Sequence, residues 1–176
     1  MPDGYDYDIV PPEAFLTASV DQGRLALPSG MKYRVVVLPP GEAMRPALLE
    51  KIKQLVADGA TVIGPPPRRS PSLEGFPHAD TEVRRLAREL WSDSDGSSIT
   101  EHRFGKGKVI WGKPIGDVLR DFSPMPDFTV IGPRTAQTVN YIHRDIDGTD
   151  VYFVASPQAE ATTYLCSFRV SGRQPE

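Results

Sequence analysis

Tyr33-Arg34-Val35-Val36-Val37-Leu38 closes on Pro39-Pro40-Gly41, and farther on Thr61-Val62-Ile63-Gly64 closes on Pro65-Pro66-Pro67. Both runs are β-branched and apolar, which is the pattern of strands buried on both faces. Between them, Arg45 to Asp58 keeps a helical period. Leu48, Leu49, Ile52, Leu55 and Val56 share one face, and Glu50, Lys51, Lys53 and Gln54 lie opposite. Pro46 suits the first turn, and Gly59 stands where a left-handed C-terminal cap belongs. Strand, helix and strand with short joints predict a βαβ unit with parallel pairing.

Downstream, Pro65 to Ala79 is a long joint carrying Arg68-Arg69 and Ser70-Pro71-Ser72. A loop of that length is either functional or tied down by another element. Asp80 is placed to cap a helix in which Val83, Leu86, Ala87, Leu90 and Trp91 recur on one face. His102-Arg103-Phe104, Gly105-Lys106-Gly107 and Lys108-Val109-Ile110-Trp111 predict strand, turn and strand. Ile115, Val118, Leu119 and Phe122 mark a short helix. Beyond Pro126 the pattern is extended: Phe128–Ile131, Val139–Arg144, Val151–Val154 and Thr163–Val170, with Asp147-Gly148 a strong turn signal. Upstream, Tyr5–Val10 is a strand candidate, Glu13–Val20 a short helix, and Arg24–Leu27 a strand suited to a small hairpin with the segment after Gly30. The expectation is a single α/β domain: a doubly wound core over 1–126 and an antiparallel β extension over 127–176.

Composition sets the outer bounds. A chain of 176 residues is one domain by length. Charged residues make up 24%, hydrophobic ones 39%, and the formal net charge is −3, which is neither a disordered composition nor a basic nucleic-acid footprint. No apolar run approaches the roughly 20 residues of a membrane helix. The acidic start, Met1-Pro2-Asp3-Gly4-Tyr5-Asp6, lacks the plan of a signal peptide. That leaves the compartment open and is compatible with a periplasmic or secreted parent. The single cysteine excludes an internal disulfide and a cysteine-rich zinc site. With 18 prolines and 15 glycines the chain is rich in turns.

The candidate chemistry is sparse. Gly105-Lys106-Gly107-Lys108 lacks the spacing and the hydroxyl of a phosphate loop and reads as a hairpin turn. His143-Arg144-Asp145 ends a predicted strand, where the three could bind an anion or do acid–base work. On an alternating strand, however, His143 and Arg144 face opposite ways, so one of them is structural. Asp6 and Asp8 share a face if extended, and paired carboxylates are the tools of glycoside hydrolysis. Near the chain start they read instead as solvated acids. His78 with Asp80, and Glu101 with His102, fall short of a metal motif. Cys166 reads as a core thiol without a nucleophile elbow. The reading assigns no catalytic residue, no metal and no cofactor. It keeps His143, Arg144, Arg68, Arg69 and Asp80 as binding candidates.

Several stretches, taken in order, carry a resemblance. They include Gly4–Val10, Gly23–Gly30, Tyr33–Pro39, Gly59–Pro67, Ser70–Leu73, the helix from Asp80 to Trp91, Gly105–Val109, Ile142-His143-Arg144, Asp150–Val154 and Phe168-Arg169-Val170. In this order the chain resembles part of the α-L-rhamnosidase-type glycoside hydrolases of family 106. The resemblance implies a class I glutamine amidotransferase-like domain of flavodoxin-like fold, a three-layer parallel sheet with helices on both faces. The amidotransferase's nucleophilic cysteine is missing here. The resemblance also implies a βα unit ahead of Tyr5–Val10, so the sheet would lack its first strand and could pair with a second copy along the open edge. Arg173-Gln174-Pro175-Glu176 reads as a cut before a further β-rich domain.

The expected function is therefore a non-catalytic accessory domain that packs on a catalytic barrel and β-rich domains of a parent rhamnosidase-like enzyme. An eight-fold barrel of about 250 residues does not fit in this chain. The rival is a free-standing carbohydrate- or anion-binding module using the loops at the carboxyl ends of the strands. A third reading is a small hydrolase built on Asp6, Asp8 or His143.

Overall fold

The computed structural model describes residues 4–123, 125–131, 139–157, 161 and 163–174. Met1-Pro2-Asp3 of the acidic start and Pro175-Glu176 of the closing run lie outside the described residues. Two compact units divide the chain: Ile9–Pro114, and Met1–Asp8 together with Ile115–Glu176.

The unit Ile9–Pro114 runs α1 (Pro12–Leu16), β1 (Ser19–Asp21), β2 (Arg24–Ala26), β3 (Lys32–Tyr33), β4 (Val36–Val37), α2 (Pro46–Asp58), β5 (Thr61–Ile63), α3 (Ala79–Trp91), β6 (Glu101–Phe104) and β7 (Gly107–Ile110). The helix expected over Glu13–Val20 stops at Leu16, because Ser19–Asp21 pairs antiparallel with Arg24–Ala26 around a turn at Gln22 and Gly23. The βαβ expectation holds for β4-α2-β5, where Val36 stands opposite Val62 and Val37 opposite Ile63 in parallel register.

The flavodoxin-like three-layer sheet with helices on both faces is overturned. The strand order is β4-β5-β7-β6, a mixed sheet of four short strands in which β6 runs antiparallel to β7. Two causes are visible in the chain. First, the Tyr33–Leu38 run does not make one central strand. Its start, β3, joins β1 and β2 in a separate antiparallel sheet, while β4 lies at the edge of the mixed one. Val37 is accordingly 42% exposed rather than buried on both faces. Second, the chain after α3 returns as the β6–β7 hairpin: β7 joins β5 in parallel, but β6 closes that edge antiparallel, so the parallel part stops at three short strands. The remaining strands form small antiparallel sheets, and the arrangement is mostly β with one mixed sheet.

Helices α2 and α3 pack against each other, and their apolar faces share one core with β5 and β7. Leu49, Ile52, Leu55 and Val56 of α2 meet Val83, Leu86, Leu90 and Trp91 of α3, with Val62 and Val109 from the sheet. Each such side chain contributes about 1.5–3 kcal/mol on burial. The Trp91 indole Nε1 donates to the Gly64 carbonyl at 3.0 Å, tying α3 to the end of β5. On the polar side, Lys53 of α2 pairs with Glu89 of α3 at 2.7 Å. Gly107 is fixed by crowding. A Cβ there would sit 2.2 Å from the Ala60 carbonyl oxygen and 2.4 Å from that of Val56. The Gly105-Lys106-Gly107 turn thus serves the close approach of β7 to the end of α2.

The other unit contains α4 (Ile115–Phe122), β8 (Phe128–Ile131), β9 (Asn140–Ile146), β10 (Thr149–Ala155) and β11 (Leu165–Phe168). β9 and β10 form a hairpin around Asp147-Gly148, both at positive φ, and β8 pairs antiparallel with β11. The start of the chain belongs here. The Asp127 amide donates to the Gly4 carbonyl at 2.8 Å, and the Tyr5 hydroxyl donates to the Ser123 carbonyl at 3.2 Å.

Candidate functional site

The two-residue turn of the β9–β10 hairpin sets its register: Ile146 stands opposite Thr149, and so His143 stands opposite Tyr152. Directly opposed side chains on one face lie close enough for their rings to meet. The His143 and Tyr152 rings stack with centroids 4.0 Å apart and planes 7° from parallel. Asp150, two residues before Tyr152, falls on the same face, and its Oδ1 is 3.0 Å from His143 Nε2.

The other imidazole nitrogen, Nδ1, is 2.9 Å from Oδ2 of Asp127, which immediately precedes β8. Asp127 is only 8% exposed, and its second oxygen accepts from the Tyr152 hydroxyl at 3.1 Å and from Arg169 Nη2 at 2.9 Å. Arg173 Nε reaches the free oxygen of Asp150 at 3.3 Å. Four rings form the apolar side of the cluster: Phe128 contacts Tyr141 and Phe168, and Tyr152 meets Phe168 edge-on.

Electrostatics follow from this packing. Burial pushes the Tyr152 phenol well above its ordinary value of 10.0, and the neighbouring Asp127 charge adds to the shift. Tyr141 is shifted upward for the same two reasons, burial first. Its hydroxyl is buried and has no hydrogen-bond partner among the described residues. Both phenols are thus held neutral. The imidazole of His143 can donate to both carboxylates only when both ring nitrogens carry protons.

Arg144, on the opposite face of β9, is held by the start of the chain. Its Nη1 is 3.1 Å from Asp6 Oδ2, and its Nη2 is 3.5 Å from Asp8 Oδ1. The structure therefore brings Arg144, Asp6 and Asp8 together on one face of the hairpin, while the His143 ring pairs with Asp127 and Asp150 on the other. Arg68, Arg69 and Asp80 make their own contacts in the other unit. Arg68 pairs with Glu42 at 3.4 Å, and the Arg69 carbonyl accepts from the Met44 amide at 3.0 Å. Asp80 is not the cap of α3, whose N-cap is His78. It lies in the first turn and accepts from the Ser70 amide at 2.8 Å. These bonds pin the long Pro65–Ala79 loop. Cys166 is half-buried on β11 rather than a core thiol. Among the described residues, no group of three or more His, Cys, Asp or Glu side chains is placed to hold a metal ion.

Asp127, Asp150, Tyr152 and Arg169 escaped the sequence reading. For Asp150 and Tyr152 a signal existed: counting the register outward from Asp147-Gly148 places both on the face of His143. Asp127 had none, since an acid after Pro126 reads as an ordinary turn residue.

In chemical terms the cluster is a set of mutually neutralising charges beneath a β-hairpin, in a mixed and mostly β domain. Such a site ties the two small sheets of this unit together. Residues 1–176 match the family model of the glycoside hydrolase family 106 alpha-L-rhamnosidases, and the chain belongs to that family. A Formosa agariphila protein, provisionally named a beta-glucuronidase, is 36% identical over 173 residues, covering 98% of this chain and 14% of its own. The solved structure of a rhamnosidase from Novosphingobium sp. PP1Y superposes with a TM-score of 0.85 at 32% identity, covering 99% of this chain and 16% of that one. The chain thus spans 14% of one relative and 16% of the other, both being much larger proteins.

Proposed function

We propose that this chain is a non-catalytic accessory domain of a rhamnosidase-type glycoside hydrolase, supporting an active centre whose reacting carboxylates lie elsewhere in the longer protein. The observation that carries this reading is the double engagement of His143. Asp127 and Asp150 occupy its two ring nitrogens at 2.9 and 3.0 Å, so the ring cannot exchange a proton with a sugar without breaking the domain's own bonds. Asp6 and Asp8 are drawn to Arg144 in the same way and do not form a free acid and base. The likeness to a glutamine amidotransferase domain has no part in this reading, because it implied the flavodoxin-like sheet that the strand order replaces.

The two relatives carry the names of enzymes acting on different sugars, so the proposal is made for glycosides and not for one sugar. Incubating the purified 176-residue chain with aryl α-L-rhamnosides and aryl β-glucuronides tests it. No turnover above buffer is expected. Turnover that disappears in Asp127→Asn or Asp6→Asn would overturn the proposal.

A further inference from the structure

We propose that the outward face of the β9–β10 hairpin is a docking surface for an apolar face elsewhere in the family's longer chain. The inference rests on the accessory-domain reading. Side chains alternate along the hairpin, and the face carrying Tyr141, His143, Asp150 and Tyr152 is occupied by the charge cluster and the rings. The opposite face is formed by Ile142, Arg144, Ile146, Val151 and Phe153. Phe153 stands directly opposite Ile142, and Val151 opposite Arg144. Water reaches most of this apolar surface: Phe153 is 69% exposed, Ile146 57%, Ile142 46% and Val151 44%.

Four exposed apolar side chains gathered on one face of a hairpin mark an interaction site, whereas scattered exposed apolar residues are ordinary. The occupant follows from length. The matched stretch is 14% and 16% of the two relatives, so most of each relative lies outside it and must pack against it somewhere. Permanent interfaces of that type are the apolar ones, resembling a core cut in two. Arg144 lies on this face between Ile142 and Ile146, opposite Val151, and its charge is met there by Asp6 and Asp8. The partner surface is therefore aliphatic or aromatic where it meets Phe153 and Ile142, with Phe153 as the anchor that enters it, and polar where it passes Arg144.

The test grafts this chain in place of the matching stretch of the Novosphingobium rhamnosidase and compares it with the same graft carrying Phe153→Asp and Ile142→Asp. Amide hydrogen exchange across 140–155 is expected to be about tenfold faster in the substituted graft. In the isolated 176-residue chain the same pair should leave the unfolding midpoint unchanged, because the face is already wet. Should the graft not fold, an aspartate at the Phe153-aligned position of the intact rhamnosidase gives the same reading. Unchanged exchange would overturn the proposal. So would a lower midpoint in the isolated chain, which would make the face part of the unit's own core. Sedimentation covers the remaining occupant: an isolated chain that dimerises, and that Phe153→Asp returns to monomer, would assign the face to a second copy and overturn the proposal. Failure here leaves the accessory reading intact as long as the isolated chain turns over no glycoside.

Discussion

Arg169 and Asp127 meet twice: the Arg169 amide donates to the Asp127 carbonyl at 2.9 Å, and its guanidinium Nη2 donates to Asp127 Oδ1, also at 2.9 Å. One acid thus fixes the backbone and the side chain just past β11 while it holds His143 on the hairpin. The two small sheets of this unit are tied to each other by a buried carboxylate as well as by the Phe128–Tyr141 and Tyr152–Phe168 ring contacts. Neither sheet is large enough to be stable alone.

Asp127→Ala should therefore be among the most damaging single changes in this unit. Removing Asp127 takes the ion pair from Arg169 and leaves His143 with Asp150 alone, and breaking a buried pair costs about 3–5 kcal/mol. Arg169 and His143 both reach solvent, so the expected loss is about 3 kcal/mol, at the lower end of that range. Urea unfolding followed by far-ultraviolet circular dichroism would measure it. A loss within about 0.5 kcal/mol, the range of ordinary surface substitutions, would mean the cluster is ornamental.

Alkaline pH should weaken the same unit. Tyr141 and Tyr152 have folded-state values raised above 10.0 by burial and by Asp127. Their neutral forms are the ones that suit the fold, so their contribution is complete below pH 10 and is lost as pH rises beyond it. Phenolate absorbance during an alkaline titration should show Tyr141 and Tyr152 ionising above pH 10, together with loss of structure. Tyr141→Phe should delay that loss to higher pH. Ionisation of Tyr141 and Tyr152 at pH 10 with the structure intact would contradict the burial argument.

The parts that could be read from sequence are those set by near neighbours. The Pro46–Asp58 helix was legible because its period, its starting proline and Gly59 all lie within the segment. The β9–β10 hairpin was legible from Asp147-Gly148, and the register carried His143 onto one face and Arg144 onto the other. The sheet order was not. Whether Tyr33–Leu38 makes one strand or two depends on β2 and β5 as partners, and no local pattern encodes that choice. The burial of Asp127 is equally non-local, because it arises only when β8, β10 and the residues after β11 converge.

Two glycines separate crowding from strain. Gly107 has an ordinary φ, but a Cβ there would press on the Ala60 and Val56 carbonyl oxygens. Gly148 has φ +80° with nothing within 4 Å of an added Cβ. Gly107→Ala must push β7 away from α2, an overpacking cost of about 1–3 kcal/mol. Gly148→Ala pays only for the left-handed backbone, about 1–2 kcal/mol. Hydrogen exchange distinguishes the two: Gly107→Ala should loosen β5 and β7, and Gly148→Ala only the hairpin. Loosening of β7 by Gly148→Ala would refute the assignment.

Trp91 tests the other unit's core. It is 1% exposed, closes α3, and donates its indole N–H to the Gly64 carbonyl, so it both fills space and satisfies backbone at the end of β5. Trp91→Phe keeps the ring but removes the donor and part of the volume. A lost hydrogen bond costs about 1 kcal/mol, and leaving the half-buried Gly64 carbonyl without that donor takes the expected total to about 2 kcal/mol. Trp111→Phe, at a half-buried position against Gly96, supplies the background in which Trp91 is the only indole left. In that background native fluorescence should be blue-shifted and should move red in the same step that far-ultraviolet dichroism is lost. Emission already red-shifted before unfolding would place the Trp91 indole in water and break the link between α3 and β5.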